Sequence, residues 1–409
     1  MHTIDGSIFL FAISFISVST VLPVFIQRIG GNPIAVGSVS VLWYVGLYMP
    51  QLVFIKFFHN KRKIKPVVLG TGLIYRFQFL ILSIVCFLFL GNLDPSFSVP
   101  LMLFLIFITT MAGSTTGPPW FHFFSKTTPV KLRGRLLALR WMLGSAFGLI
   151  AGYLVSVILS SVSYPNNFAL LFLLCFVFTM VSFYFLNRVE ESFETSAESK
   201  QASFKEIIFQ SKEILRRNKD FKNYLFADAL ILMSLTASSF YAVYAVIKFN
   251  LPTSYAGTFT VILMAGQLLG NFVFGYLGDY YGHKINILIL ASASAAASLS
   301  AVLANNILVF GIVFFFTGCT LAVQGVSRLA FVVEICNESE RPIYIGLLNT
   351  ITAPTILFGV LGGYLITIIG YVAVFLIYTL ISLTAVYWLH KKVNEPRKLK
   401  MGDGLIKSG

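Results

Sequence analysis

Acidic residues are scarce in this chain. Asp and Glu number 16 among 409 residues, and before Glu190 only Asp5 and Asp94 occur. Charge of either sign is low, at 11% of residues against about 25% in a soluble domain. So few charges cannot cover the water-facing surface that a chain of this length would need. Cysteine is sparse as well. Cys86, Cys175, Cys319 and Cys336 fall in or at the ends of apolar runs, without metal-ligand spacing. That excludes a disulfide scaffold and a zinc module and leaves four small buried hydrophobes. The five histidines form no metal or catalytic cluster, so neither a cofactor nor enzymatic activity is expected.

What is abundant is apolar: 57% of the chain, including 41 Phe and 18 Tyr. A helix crossing lipid needs about 20 apolar residues, because each rises 1.5 Å through about 30 Å of hydrocarbon. Such runs lie at roughly 7–27, 34–57, 66–90, 99–121, 134–160, 167–187, 222–247, 254–277, 285–304, 307–331, 343–368 and 371–390. Twelve transmembrane helices are therefore predicted. The runs are continuous and twice the length of a barrel strand, which excludes a β-barrel. The first is preceded by Asp5 and by no Lys or Arg, and it is too long for a signal peptide. It reads as a permanent helix, with Asp5 in a tail before it.

The net charge of +14 follows from topology. Of 30 Lys and Arg, 25 lie in the even-numbered loops, the central stretch and the final tail, and only Arg28 and Lys248 on the opposite face. Cationic loops stay in the cytoplasm, which places both termini there and makes a nucleic-acid partner unnecessary.

The longest polar stretch, 188–221, separates six helices (1–187) from six (222–390), with a basic tail at 391–409. Within it Ser203 and Glu206 have capping-box spacing, and Phe204, Ile207, Ile208, Ile214 and Leu215 share one helical face, predicting an amphipathic helix on the membrane surface. The halves repeat. Gly117 to Arg133 and Gly325 to Arg341 have equal spacing, and 46–66 aligns with 266–286 without a gap. Such duplication marks transporters with a substrate site between two repeats.

Between helices 8 and 9 stands Gly275-Tyr276-Leu277-Gly278-Asp279-Tyr280-Tyr281-Gly282-His283-Lys284. This resembles the G-x-L-x-D-x-x-G-[RK]-[RK] loop of the major facilitator superfamily, with His283 at one basic position. The resemblance implies an all-α membrane protein of two six-helix pseudo-repeats, working by alternating access as a monomer in a bilayer of the bacterial inner (plasma) membrane type. It also implies a gate on the cytoplasmic side, in which Asp279 pairs with the entrance of helix 5, at Arg133 or Arg135. The corresponding first-half loop, 57–63, keeps only basic residues. Helix 4 lacks the arginine-glutamine-glycine pattern of many drug–proton antiporters. Helix 5 carries Gly144, Gly148 and Gly152 at close-packing intervals, without their Gly-Pro.

An ionisable group inside a bilayer costs several kcal/mol unless paired or hydrated, so each such group is a functional candidate. The first six helices contain no carboxylate by this reading. Asp228 in helix 7 is either the proton carrier, if protons drive transport, or the partner of an arginine in a structural ion pair, and Arg76, Arg140 and Arg328 are the intramembrane cations, as substrate or ion-pair candidates. Pro23, Pro118-Pro119 and Pro354 are expected to interrupt cavity-lining helices. Tyr241, Tyr244, Trp43, Tyr44 and Tyr48 would then supply an aromatic cavity, with Gln267, Asn271, Gln324 and Asn349 as its polar set. The function expected is secondary transport of a small amphipathic organic solute, with efflux favoured. The alternatives are an organic-anion carrier using Arg140 and Arg328, and a lipid translocator on the same fold.

Overall fold

The computed structural model describes residues 1–48, 63–191, 204–337 and 340–397. The basic loop at 57–63 lies almost wholly outside these, as do Ser203 and Glu194.

Span 1 comprises His2–Ser14 and Val21–Arg28, and spans 2 to 6 are Pro33–Tyr48, Lys65–Leu88, Pro95–Thr127, Val130–Ser161 and Asn166–Asn187. Span 7 comprises Lys219–Leu235 and Ser238–Lys248, followed by Tyr255–Tyr281, His283–Leu303 and Ile307–Ile335 as spans 8 to 10. Span 11 opens with Arg341–Thr352, passes through a 3-10 turn at Ala353–Leu357 and enters a helix that runs to Lys392. That helix turns at Gly370, whose φ of 79° only glycine adopts at little cost, and the turn divides span 11 from span 12. Among the described residues nine helical stretches are long and apolar enough to cross a membrane. The turn at Gly370, the broken span 1 and the short span 2 bring the passages into agreement with twelve.

Side-chain caps fix several starts. Asp94 accepts from the Ser96 N–H at 2.8 Å, Asn218 from Phe221 at 2.9 Å and Asn306 from Val309 at 2.9 Å. Pro23 and Pro354 lie at or beside the breaks in spans 1 and 11. Pro118 and Pro119, by contrast, sit in a helix that continues to Thr127, so no interruption follows there.

The helix pairings repeat between halves: span 2 with 4 and span 3 with 4, then 8 with 10 and 9 with 10. The halves meet along three seams, span 5 with 8, span 2 with 11 and span 1 with 7. Small residues make the first two. A Cβ at Gly152 would stand 3.0 Å from the Gly257 carbonyl, and one at Gly359 would stand 3.0 Å from the Gly37 carbonyl. Backbones this close gain dispersion contacts that lipid cannot supply. Between the halves, Thr20 of span 1 and Thr260 of span 8 also bond through their hydroxyls at 2.6 Å, and Ser40 of span 2 bonds Ser239 of span 7. Gly144 and Gly148 pack on Leu10 and Met264, as their spacing predicted.

All these seams lie towards the face opposite the termini. On the terminal face the halves separate: Tyr276 and Tyr280 on span 8 are 66% and 71% exposed, and nothing lies within 4 Å of a Cβ built at Gly134 or Gly275. Among the described residues, the halves are closed on one face and open on the face where span 1 begins and the Arg397 clasp lies.

The stretch between the halves contains a helix, Phe204–Arg217. It is fastened to the second half by Ile214, by the Arg217–Glu340 ion pair at 2.7 Å and by Asn218 donating to the Tyr344 hydroxyl at 3.2 Å.

Each half carries a clasp on the terminal face. In the first, Glu191 accepts from the backbone N–H groups of Ile64 and Lys65, at 3.0 Å each, where span 3 begins, and from Lys126 at 3.0 Å. Burial pushes this carboxyl up, but the three donors outweigh burial and hold it below the usual carboxylate range. Its stabilisation is complete above about pH 4.3 and is lost as pH falls through the lowered value. Glu191→Gln is expected to cost ~1–2 kcal/mol at neutral pH. Melting curves of the two proteins should converge as pH falls from 6 towards 3.

In the second half the segment after span 12 folds back. Arg397 donates to Glu334 at 2.6 and 2.8 Å and caps span 8 through the carbonyls of Asp279, at 2.7 Å, and Gly278, at 3.0 Å. Glu395 packs against Gly282, where span 9 begins, and Asn394 bonds Asp220 at 3.0 Å.

A polar cavity between the halves as candidate functional site

The cavity lies behind the closed face. Span 2 contributes Tyr44 and Tyr48, and spans 7, 10 and 11 contribute the remainder, including Thr320, Gln324, Arg328, Asn349 and Thr352. Tyr44 and Tyr48 are one helical turn apart and lie nearly parallel, centroids 6.2 Å apart at 6°, forming a flat aromatic wall. The opposite wall is hydroxyl- and amide-rich. Space for the centres of water molecules amounts to about 60 Å³. That is room for a few waters or one moiety of a small solute.

Arg328 and Asp228 anchor the polar wall. Asp228 is 2% exposed and shares a helix face with Tyr224, one turn earlier, whose hydroxyl bonds the Arg328 carbonyl at 3.1 Å. Arg328 engages Asp228 with two parallel bonds, Nε–Oδ1 at 2.9 Å and Nη2–Oδ2 at 2.7 Å. Its remaining donors reach Asn349 at 3.2 Å and Thr352 at 3.0 Å, themselves one turn apart on span 11. The fork holds both charges in fixed geometry and leaves the described lining with no net formal charge.

The other expected site residues fall into place differently. Tyr241 and Tyr244 do not line this cavity. Tyr241 bonds Ser298 at 2.7 Å inside the second half, and Tyr244 packs among Tyr371, Phe375 and Phe310. Both follow the turn at 236–237, in the second segment of span 7, whose aromatic face packs into the second half. Trp43 is buried core, while Asn271 reaches across the span 5–8 seam to Ser145 at 3.3 Å. Arg76 is buried in the first half, donating to the Thr179 carbonyl at 2.7 Å and the Gly72 carbonyl at 2.9 Å.

The gate loop also departs from expectation. Asp279 is exposed, and among the described residues its carboxylate makes no hydrogen bond or ion pair. Arg133 is turned back to the Ser125 and Thr128 carbonyls. The entrance of span 5 and the end of span 8 stand apart because this face is open. Gly282, with φ of 90°, ends span 8, and His283 bonds Ser327 at 3.1 Å.

A further correction concerns the first half, which does contain a membrane carboxylate. Span 1 begins at His2, five residues before the apolar run, because an acid in the first helical turn favours the helix dipole. Asp5 is therefore helical and only 2% exposed, accepting from the Ser182 hydroxyl at 2.6 Å and neighbouring Trp120. Arg140 lies against Gly6, its guanidinium 4.3 Å above the Trp120 ring. It is a first-half neighbour of Asp5 and takes no part in the Asp228 pair.

Twelve spans in two repeats, with a polar cavity where the halves meet, define a membrane transporter. The chain belongs to the Major Facilitator Superfamily, whose model matches residues 6–253 and again 229–406. No curated protein matches it. Among solved structures, it is similar to a mutant of the nucleoside transporter NupG, with a TM-score of 0.73, 14% identity and coverage of 96% of this chain and 99% of that one. It is also similar to the D-xylose-proton symporter, with a TM-score of 0.71, 14% identity and 97% of both chains covered. A third is a bacterial homologue of the human lysosomal transporter Spinster, inward-facing and unoccupied, with a TM-score of 0.65, 11% identity and coverage of 95% and 94%. At these identities the likeness is one of fold.

Proposed function

We propose that this chain is a secondary transporter that moves a small, neutral or zwitterionic amphipathic solute by rocking its halves about the Arg328–Asp228 cavity. The observation that carries this reading is the cavity's construction. A stacked tyrosine pair offers an apolar face, hydroxyls and amides offer an edge of donors and acceptors, and Arg328, the cation of the described lining, is already neutralised by Asp228. An anion would have to displace that carboxylate. The distribution of Lys and Arg makes the terminal face cytoplasmic, so the open cavity faces the cytoplasm.

The test is a melting-temperature screen over neutral, zwitterionic and anionic compounds, followed by counterflow of the hits in proteoliposomes. Neutral or zwitterionic amphipathic compounds should stabilise the protein and exchange. Gln324→Leu, which removes a cavity amide at similar volume, should weaken a hit's binding about tenfold. Exchange confined to organic anions would overturn the solute class, and scrambling of labelled lipid without solute exchange would overturn the reading altogether.

A further inference from the structure

We infer that Asp5 is the group through which this protein binds and releases a coupling proton. The inference rests on the reading of the chain as a secondary transporter and places the proton in the half that does not hold the Arg328–Asp228 pair. A buried carboxylate that is ionised needs a cation or several donors around it. Asp228 has such a cation, held by two bonds. Asp5 has none. Its Oδ1 accepts from Ser182 at 2.6 Å, the Trp120 indole is its other hydrogen-bonding neighbour, and among the described residues no cation stands within ion-pairing distance.

Two arginines are nonetheless close. Arg76 is committed to Thr179, Gly72 and Ser182. Arg140 is not committed: it lies over the Trp120 ring, and its Nη1 is buried without an acceptor. An ionised Asp5 beside an unengaged guanidinium would close on it. The gap between them is the arrangement of a neutral acid, with its proton on Oδ2. The charged and titratable groups around this carboxyl are His2 on its own span, Arg76 on span 3 and Arg140 on span 5. His2 is held by Thr127 of span 4 at 2.7 Å.

Loss of the proton to water on the open face leaves a carboxylate one residue from Gly6, against which the Arg140 side chain already lies. Arg140 then moves from the indole to the carboxylate. Span 5 is drawn on span 1 at a point five residues from Ser145, which bonds Asn271 of the opposite half. The charge state of Asp5 thus acts on the seam about which the halves rock.

Infrared spectroscopy of the reconstituted full chain tests this without a solute. Between about pH 5 and pH 9, the wild type should show a protonated-carboxyl C=O band that disappears as pH rises. Asp5→Asn should remove that band and Asp228→Asn should leave it. Asp5→Glu, which keeps the acid if the amide variant does not fold, should retain a band at a displaced frequency. A pH-dependent band unchanged in Asp5→Asn, or none in the wild type or in Asp5→Glu, overturns the inference. Neither result touches the solute screen, so failure of the proton site and failure of the transport reading are distinguishable.

Discussion

Arg328→Ala should destabilise the purified protein by ~3–5 kcal/mol, because it strands a buried carboxylate rather than merely deleting a contact. Asp228 is 2% exposed and Arg328 supplies its ion-pair partner. With the guanidinium gone, Asn349 and Thr352 remain nearby but cannot replace a charge. The double variant Asp228→Asn, Arg328→Gln should recover most of the lost stability, since two amides can bond each other and carry no charge. Solute exchange should stay lost in both. Melting curves and counterflow separate these outcomes. If the double variant melts as low as Arg328→Ala, the cost lies in shape rather than in stranded charge. If it exchanges solute normally, the pair is structural and the cavity assignment falls.

Gly257→Val should abolish transport while leaving the folded state in place. A Cβ at Gly257 would meet the backbone of Ser156 and the carbonyl of Gly152, so no side-chain rotation relieves it. The two halves must move apart on the closed face. Overpacking of this kind costs ~1–3 kcal/mol, enough to shift a two-state balance about fivefold to 150-fold towards the conformation in which this seam is open. Ser239, which bonds Ser40 across the halves and is fully buried, reports the change. A cysteine there, in a background lacking the four native cysteines, should be protected in the parent and react with an impermeant thiol reagent in the valine variant. Equal protection in both would show that the seam does not set the conformation.

Much of the architecture is legible in the sequence because bilayer thickness imposes it. Run length gave the passages, the Lys and Arg distribution gave a topology, and the helix 5 glycines announced a seam that the structure contains. Asp228 and Arg328 were both visible as buried charges. Their pairing was among the readings left open, because the helical phase that selects Arg328 over the other arginines cannot be read from either span alone. Tyr241 and Tyr244 were misplaced because which face of span 7 meets the second half, with Tyr241 on Ser298 and Tyr244 on Tyr371 and Phe375, depends on packing that the spacing of aromatics does not show. Asp5 was missed for a different reason. Hydropathy ends a helix where polar residues start, whereas the backbone continues for as long as its hydrogen bonds do. A signal was available: His2 and Asp5 are three residues apart, on one face of a helix begun at the second residue.

The two clasps have a consequence for synthesis. Glu191 closes the first half from a position only a few residues beyond span 6, so that half can be completed before any of the second has left the ribosome. The second half waits longer, since its fastening at Arg397 is translated after all of its spans. During that interval span 8 lacks its cap, and the loop after it is held only from span 9, through His283 on Ser327 and Asn286 on Ser327 and the Phe274 carbonyl. The nascent protein thus passes through a stage with one finished half beside one unfastened half, and translation stalled before Arg397 would prolong it.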